Sequence, residues 1–389
     1  MTSTSAHLSK RERVELGSFY TPPLLVNKVM QLIKPYIQEE NCVILDNAAG
    51  FGVFLKEILG GDYRAADCDL EAIKRLQKNF DKEKIFLTNS LEKVDRSKYN
   101  IPEDSFLIMV GNPPYNDRTS EFRSGKKGSV LCDEDLKDRD MGISFLKSYA
   151  KLNAEVVCVL HPLSYLIKEA NFKRLKRFKD NYVLKKGILF SSALFSGTGS
   201  IKFPIVIALY EKSSEGMDYK YIRDFSFSVL ESNNKFKLSR YETTDGYINK
   251  YPPRKYDAKT SPIGLYFYTF RDLNSLRKNR SFMNEKHYNG IVVTLENFYQ
   301  YAYLDSLKEL FKPEGFWKYG NLSPLVDKEY LEKNKELFVG YVVQKDSFKQ
   351  LADEKLITKI CTYYGIRSEE LKPAVESRTD IEDYLETLL

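Results

Sequence analysis

Histidine is scarce in this chain: His7, His161 and His287 are the only three in 389 residues. No His or Cys pair stands at the spacing of a zinc ligand set, so no structural metal is expected and no residue is assigned as a metal ligand. The five cysteines (Cys42, Cys68, Cys132, Cys158 and Cys361) are odd in number and scattered, which argues against a disulfide framework. Three of them sit in apolar, strand-like or strand-end contexts, so free buried thiols in a reducing compartment are expected. No eighteen apolar residues run together, and Met1 to Arg13 is polar without an apolar signal core. Neither membrane insertion nor export is expected, and a cytoplasmic protein is. No internal repeat, low-complexity tract or nuclease motif is present. Asp353-Glu354-Lys355 has a D-x-K pattern but no supporting context.

What is present is enough for proper cores. The chain is 42% hydrophobic and 29% charged, and its length exceeds that of a single ordinary domain. The formal net charge of +6 is compatible with a polyanionic partner without demanding one. From about residue 20 to 212, strand-like and helix-like segments alternate. Strands are expected at 42–46, 63–67, 85–88, 106–110, 155–161, 182–189 and 205–210. Helices are expected from Thr21-Pro22-Pro23 (Thr as N-cap) to about Ile37, around Val53–Leu59, and over 70–79 and 141–152. A basic amphipathic helix is expected over 164–178. This alternation predicts an α/β fold with a doubly wound, mostly parallel sheet, closed by an antiparallel edge hairpin. After Lys212-Ser213-Ser214-Glu215-Gly216 the composition turns to Tyr, Phe and Lys with frequent turn signals. A boundary near 213 is expected, giving domains 1–212 and 213–389, the second of mixed α and β structure.

The most informative stretch is Phe106-Leu-Ile-Met-Val-Gly-Asn-Pro-Pro-Tyr-Asn116, a buried-strand run ending in Asn112-Pro113-Pro114-Tyr115. Two prolines have no N–H to give, and each forces its predecessor to be extended. The segment leaving the strand is therefore stiff and rich in carbonyl acceptors. With the Asn112 amide oxygen and the Tyr115 ring, it suits a planar substrate bearing an exocyclic amino group. A second cluster lies at Val43-Ile-Leu-Asp46-Asn-Ala48-Ala-Gly50-Phe-Gly52, a strand, a small-residue turn and a helix start. Gly50 and Gly52 permit close backbone approach, and Asp46 stands where open α/β sheets bind ligands. A dinucleotide fingerprint would want a third glycine where Leu55 stands. Asp67 ends the next strand and Asn89 follows the third, so successive strand ends offer Asp, Asp and Asn. That set suits the amine, ribose and adenine of S-adenosylmethionine.

On these motifs the chain resembles the amino-methylating (N6-adenine) DNA methyltransferases, in the class with cofactor motifs first and target-recognition domain last. Gly17-Ser-Phe-Tyr-Thr21-Pro-Pro23 resembles the N-terminal cofactor motif, Asp46–Phe54 the glycine motif and Asn112–Tyr115 the catalytic motif; Ser144-Phe145, Glu155–Tyr165 and Phe195–Tyr210 follow in order. Asn47 stands where the family usually has proline, and Asn89 where it often has aspartate. The resemblance covers about residues 17–212 and implies a Rossmann-like domain binding S-adenosyl-L-methionine through Thr21, Asp46, Ala48, Gly50, Gly52, Asp67, Asn89 and Phe145. It implies that Asn112, Pro113, Pro114 and Tyr115 act on an adenine flipped out of double-stranded DNA, with Phe195 as an opposite wall. Asn112 and the Pro113 carbonyl would accept hydrogen bonds from N6, Tyr115 would stack on the base, and no strong general base is needed. Region 213–389 would read the DNA, and a restriction endonuclease is a candidate partner. The polar 116–140 segment (Arg118, Arg123, Lys126, Lys127, Arg139) and Lys173, Arg174, Lys176 and Arg177 are candidates for holding phosphates. The alternatives are methylation of RNA, of protein glutamine or of cytosine N4, and a catalytically silent DNA-binding protein.

Overall fold

The computed structural model describes residues 21–58, 61–115, 132–195, 203–230, 232, 234–257, 260–312, 320, 322–367 and 373–388. These belong to two compact units, Met1–Leu238 and Ser239–Leu389. The first unit is built on β1 (Cys42–Asp46), β2 (Asp62–Asp67), β3 (Ile85–Leu87), β4 (Phe106–Gly111), β5 (Val156–Pro162), β6 (Tyr182–Ser191), β7 (Pro204–Lys212), β8 (Phe227–Val229) and β9 (Lys235–Phe236). They form one sheet of order β3-β2-β1-β4-β5-β7-β6-β8-β9. β1 to β5 run parallel, and β7 lies antiparallel between β5 and β6. Strand order reverses between β1 and β4, which makes their carboxyl ends the switch point where open α/β sheets take ligands.

The reason for this arrangement is visible in burial. Leu107, Ile108, Met109 and Val110 of β4 are completely buried, as are Val157 to Leu160 of β5. Continuous apolar runs of this kind need cover on both faces, which parallel strands with helical crossovers provide. Helix α1 (Pro23–Ile33) places Leu25, Val26, Val29 and Ile33 on one stripe, within the same core as Ile44, Ile108, Val110 and Cys158. Each such side chain contributes about 1.5–3 kcal/mol by leaving water. Helix α2 (Leu70–Asn79) starts where the Asp69 carboxylate accepts the Glu71 N–H at 2.9 Å. Helix α3 (Met141–Lys151) follows the charged segment and leads into β5.

Several elements differ from the expectation. Helix α1 ends at Ile33 rather than near Ile37, and its N-cap is Pro22, not Thr21. The helix expected over 53–59 is a single 3₁₀ turn at Leu55–Glu57. The basic helix over 164–178 is broken into the short helices Ser164–Ile167 and Glu169–Phe172, a 3₁₀ turn at Lys173–Leu175 and the short helix Arg177–Asn181. Phe172, Leu175 and Phe178 are all buried at three-residue spacing, which aligns in a 3₁₀ turn but drifts around an α-helix. Lys176 takes φ 46° to make the break. The β6–β7 hairpin forms, but β8 adds parallel to β6 (Ile188 opposite Ser228) and β9 pairs with β8, so the sheet continues past Lys212. The division of the chain thus falls at 238/239 rather than at 212/213. Among the cysteines Cys158 is buried, but Cys68 is exposed because it sits in the turn after β2.

The second unit has a three-stranded antiparallel sheet, β11-β10-β12, from β10 (Pro262–Tyr268), β11 (Phe282–Met283) and β12 (Gly290–Thr294). Helices α4 (Leu273–Lys278), α5 (Phe298–Leu310), α6 (Lys335–Gln344), α7 (Glu354–Tyr363) and α8 (Ala374–Thr387), with the short helices Lys328–Lys333 and Asp346–Lys349, complete its mixed α and β structure, and α5, α6 and α8 pack on one another. Its core is strongly aromatic: Phe267, Phe282, Phe298 and Phe348 meet at centroid separations of 5.3–5.6 Å, and Tyr330 stacks on Tyr384 at 4.0 Å. Among the described residues no helix is long and apolar enough to cross a membrane. Among the same residues no group of three or more His, Cys, Asp or Glu is placed to hold a metal.

Candidate active site

The ends of β1 and β4 lie side by side, with Leu45 opposite Met109. Asp46 is buried, and its Oδ1 accepts the Ala48 N–H at 3.2 Å. Burial pushes its carboxyl up to about 8; the Ala48 N–H opposes this and nearby Asp67 adds to it. Gly111 has φ 146°, and a Cβ there would lie 2.9 Å from Asp46 Oδ1. Glycine at the end of β4 is thus what lets the two strand ends approach so closely. The turn after β1 carries Gly50 at φ 52° and Gly52 at φ 73°. A Cβ on Gly50 would meet nothing within 4 Å, whereas one on Gly52 would strike Leu76 of α2 at 2.6 Å. The first glycine therefore leaves open space above the turn, and the second serves packing.

Asp67 holds that turn in shape. Its Oδ2 accepts the Gly50 N–H at 2.8 Å, and its Oδ1 accepts the Asp69 N–H at 2.9 Å. Burial raises its carboxyl above the usual range while these two N–H groups pull it back. Asn89 is half-buried beyond β3; its Oδ1 caps the Leu91 N–H at 3.1 Å, and its carbonyl accepts Lys98 Nζ at 2.6 Å. Ser90 Oγ donates to the Asn47 carbonyl at 2.6 Å, fastening the β3 end to the glycine turn. Phe145 of α3 is buried and lies tilted against Tyr149.

The Asn112–Tyr115 segment leaves β4 without regular structure, as its prolines require. Asn112 Nδ2 donates to Thr21 Oγ1 at 3.2 Å, a bond spanning ninety-one positions of sequence. Thr21, expected as a helix cap, instead anchors the segment. Asn112 Oδ1 is buried and has no partner among the described residues, and the same holds for the Tyr115 hydroxyl. Burial raises the Tyr115 hydroxyl above the ordinary tyrosine value. Pro113 is buried and Pro114 half-buried. The Tyr115 ring meets Phe203 edge-on at 6.3 Å and packs on the core that contains Phe195. Phe195 itself is buried in that core, edge-on to Phe190 at 5.8 Å.

Four neighbours, Gly142, Asp140, His161 and Tyr165, were not singled out as site residues by the sequence. A Cβ on Gly142 would lie 2.5 Å from the Tyr165 hydroxyl and 3.1 Å from Tyr115 Cβ, so α3 begins pressed against both. The Tyr165 hydroxyl donates to Asp140 Oδ1, which also caps the Gly142 N–H at 3.1 Å. Burial pushes the Asp140 carboxyl up to about 6 against these bonds. His161 is buried and sandwiched between Tyr165 and Tyr210; burial pulls it down to about 4, so it is neutral at pH 7. Its Nδ1 faces the Pro162 carbonyl at 3.0 Å and its Nε2 the Tyr210 hydroxyl at 2.7 Å, which fixes the proton on Nδ1. Of the basic residues expected to hold phosphates, Arg174 is committed to Asp138 and Lys173 to Glu169 at 2.8 Å. Arg118, Arg123, Lys126, Lys127 and Gly17 to Tyr20 lie outside the described residues, as do positions 196–202.

No protein-family model and no curated protein matches the chain. Among solved structures, it is similar to a modification subunit of a putative type I restriction enzyme from Vibrio vulnificus, at 16% identity and a TM-score of 0.40, covering 61% of this chain and 55% of that one. A type I restriction-modification methyltransferase subunit from Streptococcus thermophilus matches at 16% identity and a TM-score of 0.39, over 56% of this chain and 50% of its own. A putative class I S-adenosylmethionine-dependent methyltransferase from Listeria monocytogenes matches at 14% identity and a TM-score of 0.40, over 60% and 76%. The chain spans about half the length of the first two.

Proposed function

We propose that the first unit transfers a methyl group from S-adenosylmethionine to the N6 amine of an adenine flipped out of double-stranded DNA. The observation that carries this reading is the buried, unpartnered Oδ1 of Asn112, held at the end of β4 beside Asp46. A buried acceptor without a donor costs about 1–3 kcal/mol, and this one lies where a ligand donor would satisfy it. A proline pair next to it adds carbonyl acceptors and no N–H. An exocyclic amine is the donor this arrangement suits.

The residues present also fit the cofactor. The open space over Gly50 admits a ligand, and the buried Asp46 carboxyl regains its charge if an ammonium group settles beside it. Asp67 has lone pairs left for hydroxyl donors beyond the two N–H groups it holds. Thr21, Asp46, Ala48, Gly50, Gly52, Asp67, Asn89 and Phe145 would line it. When bound, S-adenosylmethionine supplies an electrophilic methyl group.

The chain's own residues then have separate tasks. Asn112 Oδ1 and the Pro113 carbonyl accept hydrogen bonds from the amine, drawing its lone pair out of conjugation with the ring as the nitrogen pyramidalises. Thr21 holds the Asn112 amide in the orientation that presents Oδ1. Tyr115 stacks on the base, worth roughly 1–3 kcal/mol, against a flipping cost of a few kcal/mol. The amine gives up its proton after the transfer, so the neutral, enclosed His161 need not act as a base. The second unit serves target recognition, and a restriction endonuclease whose cutting the methyl group blocks is the partner this reading carries.

The deciding experiment incubates the protein with methyl-labelled S-adenosylmethionine and, separately, duplex DNA, RNA and protein, then locates the labelled atom. Label on adenine N6 in DNA is expected, with fluorescence of 2-aminopurine at the target rising on binding. Label in RNA, on cytosine N4 or on glutamine replaces the substrate, and no transfer at all overturns the reading.

A further inference from the structure

The second unit contains a cavity of about 510 Å³ that none of the preceding chemistry uses. It lies where the C-terminal end of α4 and the loop leading to β11 face α5 and the start of the segment after α6. Its walls carry Arg277, Arg280, Lys308 and Lys345 against only two carboxylates, Asp305 and Glu309. Those two are spoken for: Lys345 Nζ pairs with Asp305 at 2.6 Å and with Glu309. Another cavity of the same unit, about 630 Å³, is lined by Asp327, Glu336, Asp380 and Asp383 and has no basic wall residue. Positive charge is therefore gathered at one hollow of this unit and absent from the other.

Lys308 is the informative residue. It is half-buried, yet its ammonium donates only to neutral acceptors, the Asn279 carbonyl and Ser281 Oγ, and forms no ion pair among the described residues. Burial holds it below the ordinary lysine value, with Asp305 pulling it back up and Lys345 adding to the fall. A cation that has lost much of its water without gaining a counter-ion is unfavourable until an anion arrives. Arg280 stands exposed at the same hollow and has no ion-pair partner among the described residues. Arg277 enters from α4, its Nη2 held by the Phe311 carbonyl at 2.6 Å. The hydroxyls of Ser281 and Ser347 complete a set of donors.

We infer that this hollow is a phosphate-oxyanion site, with Lys308 as its half-buried charge and Arg280 and Arg277 as its outer arms. An arginine fork and an ammonium on one tetrahedral anion give charge-assisted hydrogen bonds from several directions. The site stands on its own charges; its assignment to a polynucleotide backbone phosphate, rather than to free phosphate, rests on the DNA reading above.

The test uses the full chain and two variants, Lys308→Met, which keeps the length of the stem, and Arg280→Ala, which alters only an exposed group. Inorganic phosphate is titrated by calorimetry, and a labelled duplex by anisotropy across a salt series, with S-adenosylmethionine binding as the control for folding. Phosphate binding is expected to weaken roughly tenfold or more in each variant, the scale of losing a hydrogen bond between charged partners. The slope of log K against log salt for the duplex is expected to fall by about 0.9 for each backbone phosphate that is no longer neutralised. Weakened phosphate binding with an unchanged duplex slope supports the site and makes free phosphate its ligand. Unchanged phosphate affinity and unchanged slope in both variants overturn it, whatever the fate of methyl transfer.

Discussion

The two units differ in where their buried polar side chains lack partners. In the second, the core tyrosines hand their protons to defined acceptors: Tyr303 to the Leu325 carbonyl, Tyr364 to the Leu295 carbonyl, Tyr301 to the Asn249 carbonyl and Tyr299 to Glu332. Tyr384 receives the Asp327 N–H at 2.9 Å, and among the described residues Thr244 Oγ1 is left without a partner. The first unit does the same with Tyr165 and Tyr182, but at its β1/β4 switch point Asn112 Oδ1 and the Tyr115 hydroxyl are buried without a partner among the described residues, and Asp46 is a buried carboxyl. Satisfied polar groups inside a core specify its packing; the unsatisfied ones at this sheet switch point are those the proposed function assigns to a ligand.

Three changes would break or sharpen that contrast. The largest effect belongs to Asn112→Ala. Methyl transfer should fall about 100- to 1000-fold, the range seen for removing one group that acts in the transition state, while S-adenosylmethionine affinity measured by calorimetry stays within a few-fold. Near-normal turnover would make the orphaned Oδ1 an accident of packing.

Asp46 comes next, through pH. Its folded-state value of about 8 lies above the ordinary carboxylate range, so the folded protein binds the proton more tightly than the unfolded chain does. Its stabilising effect is complete below about pH 4, the unfolded value, and is lost as pH rises from there towards 8. Asp46→Asn should therefore be more stable than the parent at pH 8 by several kcal/mol in denaturant titrations, with the difference shrinking by about 1.4 kcal/mol per pH unit as pH falls towards 4. The same variant should bind S-adenosylmethionine more weakly. A variant that is less stable at pH 8 would show the carboxylate to be structural.

The smallest effect compares two tyrosines directly. Tyr303→Phe strips the donor from a buried carbonyl and should cost about 1–3 kcal/mol. Tyr115→Phe removes a hydroxyl with no partner among the described residues and should leave stability unchanged or slightly raised. Equal losses in thermal melts would erase the distinction between the units.

Much of the first unit was legible because its strands are long apolar runs, and runs such as Leu107–Val110 admit few other placements. Strands of three and two residues, Phe227–Val229 and Lys235–Phe236, carry too little period to be seen, so the unit's extension to Leu238 was not. The break at Lys176 has no proline or glycine to signal it; it follows from tertiary burial of Phe172, Leu175 and Phe178. Within the site, Asp46, Asp67 and Asn112 could be picked out as strand-end residues. That Thr21 serves Asn112 rather than its own helix could not, since nothing local links residues ninety-one positions apart. Asp140 and Tyr165 were hidden for the same reason, their meeting being set by how tightly α3 seats at Gly142.

Gly111 has a consequence for how such a chain can vary. With its missing Cβ only 2.9 Å from Asp46 Oδ1, the wall between the end of β1 and the end of β4 is one hydrogen atom thick. Any side chain at 111 would press on that carboxylate and would also have to adopt a φ of 146°, which side chains rarely tolerate. Residue 111 is therefore tied to the carboxylate it faces, and saturation of this codon should return glycine alone among active clones.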